Sequence, residues 1–458
     1  MIDPAIFKAY DVRGVYGEEI DEDVAYRIGR AFPRVLADEV GGEAAGLRIG
    51  LARDMRLSAP GLAERYADGL RDAGADVLDI GEVGTEVLYY AVGSRDLDGG
   101  LMCTASHNPA KYTGAKLVKR GAVALSGDSG MPELQRIVTE DSDVDAPPSD
   151  PRGDYQEERV HHEYRRKILG FIDPNRVRRT KVVLDGGNGM AGPMVGPVLD
   201  DLPLDPVHLY WTPDGSFPDH EPNPLLEENR QLVIDNVLSE GADLGIAWDG
   251  DADRCFFIDE KGRFVDGDFL TALLAESLLE KEPGAAILYD VRASRAVRDV
   301  VEHAGGRALM NRVGHAFFKT RLREEGAAFG GEVSGHYYFR DFYCADSGAI
   351  PALLVLELLS TRGQTMSELL APYHERYFIS GEINSEVDDQ DAKVEEIAER
   401  YADADQGRLD GISIDYDDWH FNVRGSNTEP LLRLNLESLV SEEHMAEKRD
   451  EVLGLIRG

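Results

Sequence analysis

The chain is poor in cysteine, in lysine and in long apolar runs. Its three cysteines, Cys103, Cys255 and Cys344, are odd in number and scattered through 458 residues. With no CxxC pair and no Cys/His cluster they predict neither a disulfide framework nor a zinc site, and they fit a reducing compartment, the cytoplasm. Lysine supplies 11 of the 49 basic residues, leaving 38 arginines, and no large basic patch is evident. With 86 acidic residues the formal net charge is −37, which repels both a nucleic-acid backbone and an anionic membrane surface. The most apolar stretch, Ile350 to Leu359, carries Glu357 and is too short to span a bilayer. Met1-Ile2-Asp3-Pro4 has no basic stretch followed by an apolar one, which predicts no signal peptide.

Hydrophobic residues make up 42% and aromatics 8%, so the chain is globular, with several domains at about 150 residues each. The acid is spread from end to end. Much acid with little lysine predicts a surface adapted to concentrated salt, where screening removes self-repulsion.

Strand-like and helix-like stretches alternate at first. Leu47–Leu51, Ala75–Ile80 and Gly99–Cys103 read as strands, and Ser58 as the cap of a helix carrying Leu62, Tyr66 and Leu70. A polar run from Asp141 to Asp154 reads as a linker. The scheme recurs with Lys181–Asp185 leading into Gly186-Gly187-Asn188-Gly189, and with Ala242–Ala247. It recurs again with Ala285–Tyr289 and a helix from Ser294 to His303. Such alternation predicts crossover units and mostly parallel sheets. The last ~90 residues differ: Ile412–Ile414, His420–Val423 and Leu431–Leu436 follow one another closely, with helices through Val394, Ile397 and Tyr401 and from Glu442 to Arg457. This predicts an antiparallel sheet with helices on one face.

Four loops concentrate chemistry. Asp249, Asp251 and Asp253 alternate between two strand-like stretches, and in extended backbone their carboxylates would converge on a hard cation. An EF-hand is excluded, because Arg254 occupies the position that needs Gly and the flanks are strands. A solvated acidic turn fits the spacing equally well. Thr104-Ala105-Ser106-His107-Asn108-Pro109 ends a buried-looking strand, where α/β folds bind ligands, with Lys116 ten residues on. A plain turn is the better reading of that loop alone. It lacks the G-x-S-x-G elbow of a serine hydrolase, and a histidine adjacent to its serine rarely reaches the hydroxyl. Arg424-Gly425-Ser426-Asn427-Thr428-Glu429-Pro430 offers a guanidinium fork and hydroxyls suited to phosphate. In Gly330-Gly331-Glu332-Val333-Ser334-Gly335-His336, alternation would turn Glu332, Ser334 and His336 to one side, toward a polyhydroxyl ligand. Exposed turns fit both of these loops as well.

Together with Lys8-Ala9-Tyr10-Asp11-Val12-Arg13-Gly14, and in this order, the loops resemble the α-D-phosphohexomutases, most closely the phosphomannomutase/phosphoglucomutase branch. The resemblance spans essentially the whole chain. It implies three similar α/β domains with mixed or parallel sheets plus a smaller C-terminal α+β domain, set around a central cleft. The expected bounds are 1–150 with the phosphoserine loop, 151–254 ending in the metal loop, 255–365 with the sugar loop and 366–458 with the phosphate loop.

By the same resemblance Ser106 carries a phosphoryl group, and Asp249, Asp251 and Asp253 bind Mg²⁺ with the phosphoserine oxygen as fourth ligand. His107 and Lys116 match positions of proton transfer, and Tyr10, Arg13 and Arg254 line the reaction centre. Glu332, Ser334 and His336 match the sugar-hydroxyl loop. Arg424, Ser426, Asn427 and Thr428 hold the phosphate that is not transferred, and Arg292 and His315 add contacts to substrate. The implied reaction interconverts hexose 1- and 6-phosphates of mannose or glucose through a hexose 1,6-bisphosphate. Phosphoglucosamine mutase is the alternative within the family, although Val333 stands where that branch usually has Gln. A metal-dependent sugar-phosphate phosphatase is the alternative of another class. The expected partners are small sugar phosphates, and no motif sets an oligomeric state. In so acidic a chain, cations for anionic ligands have to be gathered locally, from Arg13, Lys116, Arg254, Arg292, His336 and Arg424.

Overall fold

The structure, a computed structural model, describes residues 2–140, 144, 146–425 and 431–458. In chain order the elements are β1 (Val12–Val15), α1 (Glu22–Val40), β2 (Arg48–Arg53), α2 (Ala59–Asp72), β3 (Asp76–Glu82), α3 (Thr85–Ser94), β4 (Gly99–Cys103), β5 (Tyr112–Lys119), β6 (Val123–Ala124), α4 (Met131–Glu140), β7 (Tyr155–Glu157), α5 (His161–Leu169), β8 (Thr180–Asp185), α6 (Ala191–Leu199), β9 (Leu204–Leu209), α7 (Glu227–Glu240), β10 (Leu244–Trp248) and β11 (Cys255–Asp259). There follow α8 (Gly267–Lys281), β12 (Ala286–Asp290), α9 (Arg295–His303), β13 (Arg307–Asn311), α10 (His315–Glu325), β14 (Phe329–Gly331), β15 (Tyr337–Phe339), β16 (Ala345–Asp346), α11 (Ala349–Arg362), α12 (Met366–His374), β17 (Phe378–Glu386), α13 (Gln390–Arg400), β18 (Asp405–Gly407), β19 (Ile412–Asp415), β20 (Trp419–Gly425), β21 (Leu431–Ser438) and α14 (Glu442–Arg457). They form two compact units, Met1–Phe264 with His336–Thr365, and Val265–Gly335 with Met366–Gly458.

The first unit holds two sheets built on crossovers. In one the strand order is β1-β5-β4-β2-β3-β7. Here β2 runs parallel to β3 and β4, while β5 runs antiparallel to β4 and β1. In the other the order is β11-β10-β8-β9, with β8 parallel to both neighbours and β11 closing a hairpin on β10. Every residue of β4 and β10 is buried, which is why both read as continuous apolar runs rather than alternating ones. Gly114 in β5 has a packing reason, since a Cβ there would lie 1.9 Å from the Val12 carbonyl oxygen.

The second unit pairs β12 in parallel with β13 and β14. It also holds an antiparallel sheet in the order β17-β21-β20-β19-β18. Ile397, Met445, Val452 and Ile456 of α13 and α14 share one core with Trp419, Phe421, Val423, Leu432 and Leu434 of that sheet. The fold is therefore α/β with mixed sheets, followed by an α+β portion. Among the described residues no helix is long and apolar enough to cross a membrane. All three cysteines are free and buried.

Three local expectations change. Ser58 stands at the N-cap of α2 but makes no side-chain cap bond: its backbone is already helical, and Pro60 removes one of the N–H groups it would serve. The 141–154 run is not simply a solvated linker, because Val144 is buried in the first core and Arg30 donates to the Ala146 carbonyl at 3.0 Å. Residues 141–143 and 145 lie outside the described residues. The Asp249–Asp253 segment is a tight turn with Ala252 at φ +60°, not extended strand.

Candidate active site

The serine loop leaves the carboxyl end of β4. Thr104 Oγ1 accepts from the Ser106 N–H at 2.8 Å and donates to Asp54 Oδ2 at 2.7 Å. Ser106 adopts φ +50°, an uncommon conformation for a side chain with a Cβ. That turn brings its Oγ to Asp249 Oδ2, to which it donates at 3.0 Å, and sets it 3.2 Å from His107 Nδ1. The adjacent histidine thus does reach its neighbour's hydroxyl, because the left-handed backbone folds the two side chains together.

The hairpin between β10 and β11 presents the three aspartates. They are at most 1% exposed, and one ligand atom from each lies within 4.8 Å of the others. They converge through a tight turn whose neighbours are fitted to it. A Cβ on Gly250 would lie 2.5 Å from the Ser106 carbonyl oxygen. The Trp248 indole, just before the turn, donates to the Gly348 carbonyl at 2.9 Å. Thr85 binds this turn twice, its N–H to the Asp251 carbonyl at 3.1 Å and its Oγ1 to Asp251 Oδ2.

Two cations meet the aspartates and a third meets the serine loop. Lys116, on β5, donates to Asp251 Oδ2 at 2.7 Å and to Asp253 Oδ2 at 2.5 Å. Arg254 gives Asp249 a backbone bond at 3.1 Å and an Nε bond at 2.8 Å. Arg13, on β1, pairs with Asp11 at 2.5 Å and donates to Asn108 Oδ1 at 2.6 Å. Burial opposes the charge on Lys116, but Asp251 and Asp253 outweigh it and hold the ammonium firmly protonated. Burial and the charge of Asp251 push Asp253 up to about 7. Burial pushes the His107 pKa well below its ordinary value, and Arg254, Arg13 and Lys116 lower it further, so the ring is neutral near pH 7. His336 Nε2 lies 3.7 Å from Asp253 Oδ1, and Tyr10 sits half-buried in the bend before β1.

The donor set fits a hard divalent cation. Asp251 Oδ1 and Asp253 Oδ1 are buried with no hydrogen-bond partner, an arrangement that is costly unless a cation binds them.

The second unit holds a different cluster. Arg292, just after β12, grips Asp290 with Nε at 3.0 Å and Nη2 at 2.7 Å, and reaches Glu382 Oε2 at 3.4 Å. Arg424 on β20 and Arg433 on β21 reach the same Glu382 at 3.5 and 2.8 Å. Burial of Glu382 is outweighed by the three guanidiniums, which hold its pKa below the usual range. Burial and then the nearby Arg292 lower the pKa of Arg424. Glu332 accepts from the Gly314 N–H at 2.6 Å and from Ser334 Oγ at 3.2 Å. Val333 and Ser334 form a turn, so simple alternation does not describe this loop: Glu332 and Ser334 belong to the second unit and His336 to the first. His315 is buried at the first position of α10. Ser426, Asn427 and Thr428 lie outside the described residues.

Thr85, Glu382 and Arg433 are absent from the sequence reading. Thr85 meets Asp251 across 166 positions, and Glu382 is one acid among 86 until the fold sets three arginines around it.

Comparison with known proteins covers the whole chain. Four family models match: phosphoglucomutase/phosphomannomutase alpha/beta/alpha domain I at residues 4–144, domain II at 162–262, domain III at 266–377 and the C-terminal domain at 382–455. A phosphomannomutase of Salmonella montevideo is 44% identical over 457 residues, 98% of each chain. One of Escherichia coli (strain K12) is 45% identical over 441 residues, 94% of each chain. The crystal structure of a phosphoglucomutase/phosphomannomutase family protein from Burkholderia thailandensis is 36% identical and superposes with a TM-score of 0.89, covering 100% of this chain and 98% of that one.

Proposed function

Since the chain belongs to the phosphoglucomutase/phosphomannomutase family and is a phosphohexomutase, we propose that it interconverts mannose 1-phosphate and mannose 6-phosphate, accepts the glucose phosphates as well, and uses Ser106 as its phosphoryl carrier. One observation carries the assignment of Ser106: its Oγ is 3.0 Å from Asp249 Oδ2, beside a buried trio of aspartates and a charged lysine. The 44–45% identity to phosphomannomutases supports mannose. Neither the relatives nor the solved structures favour a phosphoglucosamine mutase or a phosphatase.

In the forward half-reaction the free hydroxyl oxygen of the hexose phosphate attacks the phosphorus on Ser106. The Ser106 Oγ–P bond breaks, the hydroxyl proton leaves to a base, and hexose 1,6-bisphosphate forms. The bisphosphate then returns its other phosphoryl group to Ser106. Neutral His107, 3.2 Å from Ser106 Oγ, is suited to accept the Ser106 hydroxyl proton when that oxygen attacks the bisphosphate in the return half. Lys116 is held as an ammonium, so in this arrangement it supplies charge rather than accepting a proton. Arg13 and Arg254 hold Asn108 and Asp249 in place around the serine. Asp249, Asp251, Asp253 and the Ser106 oxygen would hold Mg²⁺, which when bound supplies Lewis-acid neutralisation of the transferring phosphoryl group. Glu332, Ser334 and His336 are assigned to sugar hydroxyls. Arg292, His315, Arg424, Ser426, Asn427 and Thr428 are assigned to the rest of the substrate and its second phosphate.

With Mg²⁺ and glucose 1,6-bisphosphate, mannose 1-phosphate should become mannose 6-phosphate, and Ser106→Ala should lose this activity. Full activity in Ser106→Ala would overturn the carrier assignment, and turnover surviving excess chelator would overturn the metal assignment. Comparing mannose, glucose and glucosamine 1-phosphates ranks the sugars, and release of inorganic phosphate at the isomerisation rate would point to a phosphatase instead. We also assign the protein to a salt-rich cytoplasm, on its charge of −37 and its buried free thiols. Equal stability at low and at multimolar salt would remove the salt assignment.

A further inference from the structure

The turn between β2 and α2 holds a cation that touches no carboxylate of the aspartate cluster. Arg56 is 1% exposed. Its Nη1 donates to the Pro109 and Tyr112 carbonyls, each at 3.0 Å, and its Nη2 donates to the Ser106 carbonyl at 2.8 Å and the Asn108 carbonyl at 2.6 Å. Four carbonyls of the serine loop thus point at one guanidinium. Their dipoles would repel one another without it, and a planar fork of donors is what can serve four acceptors at once.

The counter-ion joins the same loop from the other side. Asp54 lies 3.3 Å from Arg56 Nε and accepts the Arg56 backbone N–H at 3.0 Å. It also accepts from Thr104 Oγ1, which in turn accepts the Ser106 N–H. The backbone of Ser106 is therefore fixed at its N–H through Thr104 and Asp54 and at its carbonyl through Arg56, with Gly250 closing in on that carbonyl. The face of the guanidinium is covered by the Phe217 ring, 5.2 Å away. A serine at φ +50° costs on the order of 1 kcal/mol or more, so surrounding contacts have to impose it.

We propose that Arg56 is a positioning residue for phosphoryl transfer, holding the Ser106 loop in its left-handed turn so that Oγ is aimed at Asp249. It reaches the reacting oxygen only through the backbone. The proposal rests on the reading of Ser106 as phosphoryl carrier, and its test separates the two. Arg56→Lys keeps the charge and loses the fork, while Arg56→Ala leaves room for guanidinium added to the solution.

In Arg56→Lys, amide hydrogen exchange over residues 104–113 should rise at least tenfold while that of β8 and β10 stays unchanged. A misaimed nucleophile should lower kcat about 100-fold with KM within threefold. In Arg56→Ala, kcat should recover at least fivefold in guanidinium kept below denaturing concentration. Unchanged exchange over 104–113, kcat within threefold of the parent, or general unfolding of both variants would each overturn the proposal, the last by assigning Arg56 to overall stability. Intact mass after exposure to glucose 1,6-bisphosphate tests the other reading on its own: a parent protein that gains no phosphoryl group on Ser106 refutes the carrier assignment, whereas the exchange result still stands or falls by itself.

Discussion

The two units each gather charge in one cluster, acid-rich in the first and arginine-rich in the second. In the first, Asp249, Asp251 and Asp253 are answered by Lys116 and Arg254, and two carboxylate oxygens still lack a hydrogen-bond partner. In the second, Arg292, Arg424 and Arg433 are answered by Glu382, with Asp290 on the far side of Arg292. The first set of side chains suits a cation and the second suits an anion. In the second unit three arginines gather around one glutamate. In the first, each basic side chain is matched to a carboxylate, and the site as a whole remains acidic.

The sharpest way to break this comparison is at Lys116. If its ammonium balances the aspartates, Lys116→Met leaves Asp251 and Asp253 buried and unanswered. In chelator the variant should lose about 3–5 kcal/mol of stability, and Mg²⁺ should restore much of it. Activity should not return with stability: kcat should stay down by about 10³-fold, because the positive charge beside the transferring group is gone. Urea unfolding with and without chelator, beside the mutase assay, reads both. Equal stability of parent and variant in chelator would mean the aspartates do not need Lys116.

The first unit's chemistry was more legible in the sequence than its support. Ser106 and the aspartates stand in short loops bounded by apolar strands, so local pattern alone places them at strand ends. Thr85, Arg56 and Asp54 act on those loops from positions 50 to 166 residues away, and no local pattern marks them. The contact between Ser106 and His107 was missed for another reason: it depends on a positive φ that a serine rarely takes. In the second unit, Arg292 and Arg424 could be matched to family positions, but Glu382 gains meaning only when strand pairing sets β17 beside β21 and β21 beside β20.

A second test compares how each unit buries a lone carboxylate. Glu86, at the start of α3, is fully buried and accepts from the Tyr164 hydroxyl; burial pushes its pKa from 4.5 to about 8. Glu437, on β21, accepts from the Arg295 N–H at 3.1 Å and is pushed by burial from 4.5 to about 7. Both pKa values are raised on folding, so the folded state holds these protons more tightly. The stability they contribute is complete below pH 4.5 and is lost as pH rises through about 8 for Glu86 and about 7 for Glu437. Glu86→Gln removes that titration. Relative to the parent, the variant should gain about 2–4 kcal/mol between pH 5 and pH 9, and Glu437→Gln should gain less. Urea unfolding at both pH values measures this. A difference that does not change with pH would mean Glu86 is ionised in the folded chain.

The smallest effect is expected at Arg424, and its form matters more than its size. Three guanidiniums share Glu382, so deleting one still leaves Arg292 and Arg433 as donors. An anion held by such a cluster loses one charge-assisted contact, which in Arg424→Ala should raise the KM for mannose 1-phosphate about 10-fold. The groups that carry the phosphoryl transfer are untouched, so kcat should stay within threefold. The inhibition constant for inorganic phosphate should rise in step with KM, since both would report the same guanidinium contacts. Lys116→Met should show the reverse split, with a large fall in kcat and little change in KM. If Arg424→Ala instead lowers kcat and leaves KM alone, the second cluster is not an anion site, and the contrast between an acid-rich and an arginine-rich cluster marks no division of function.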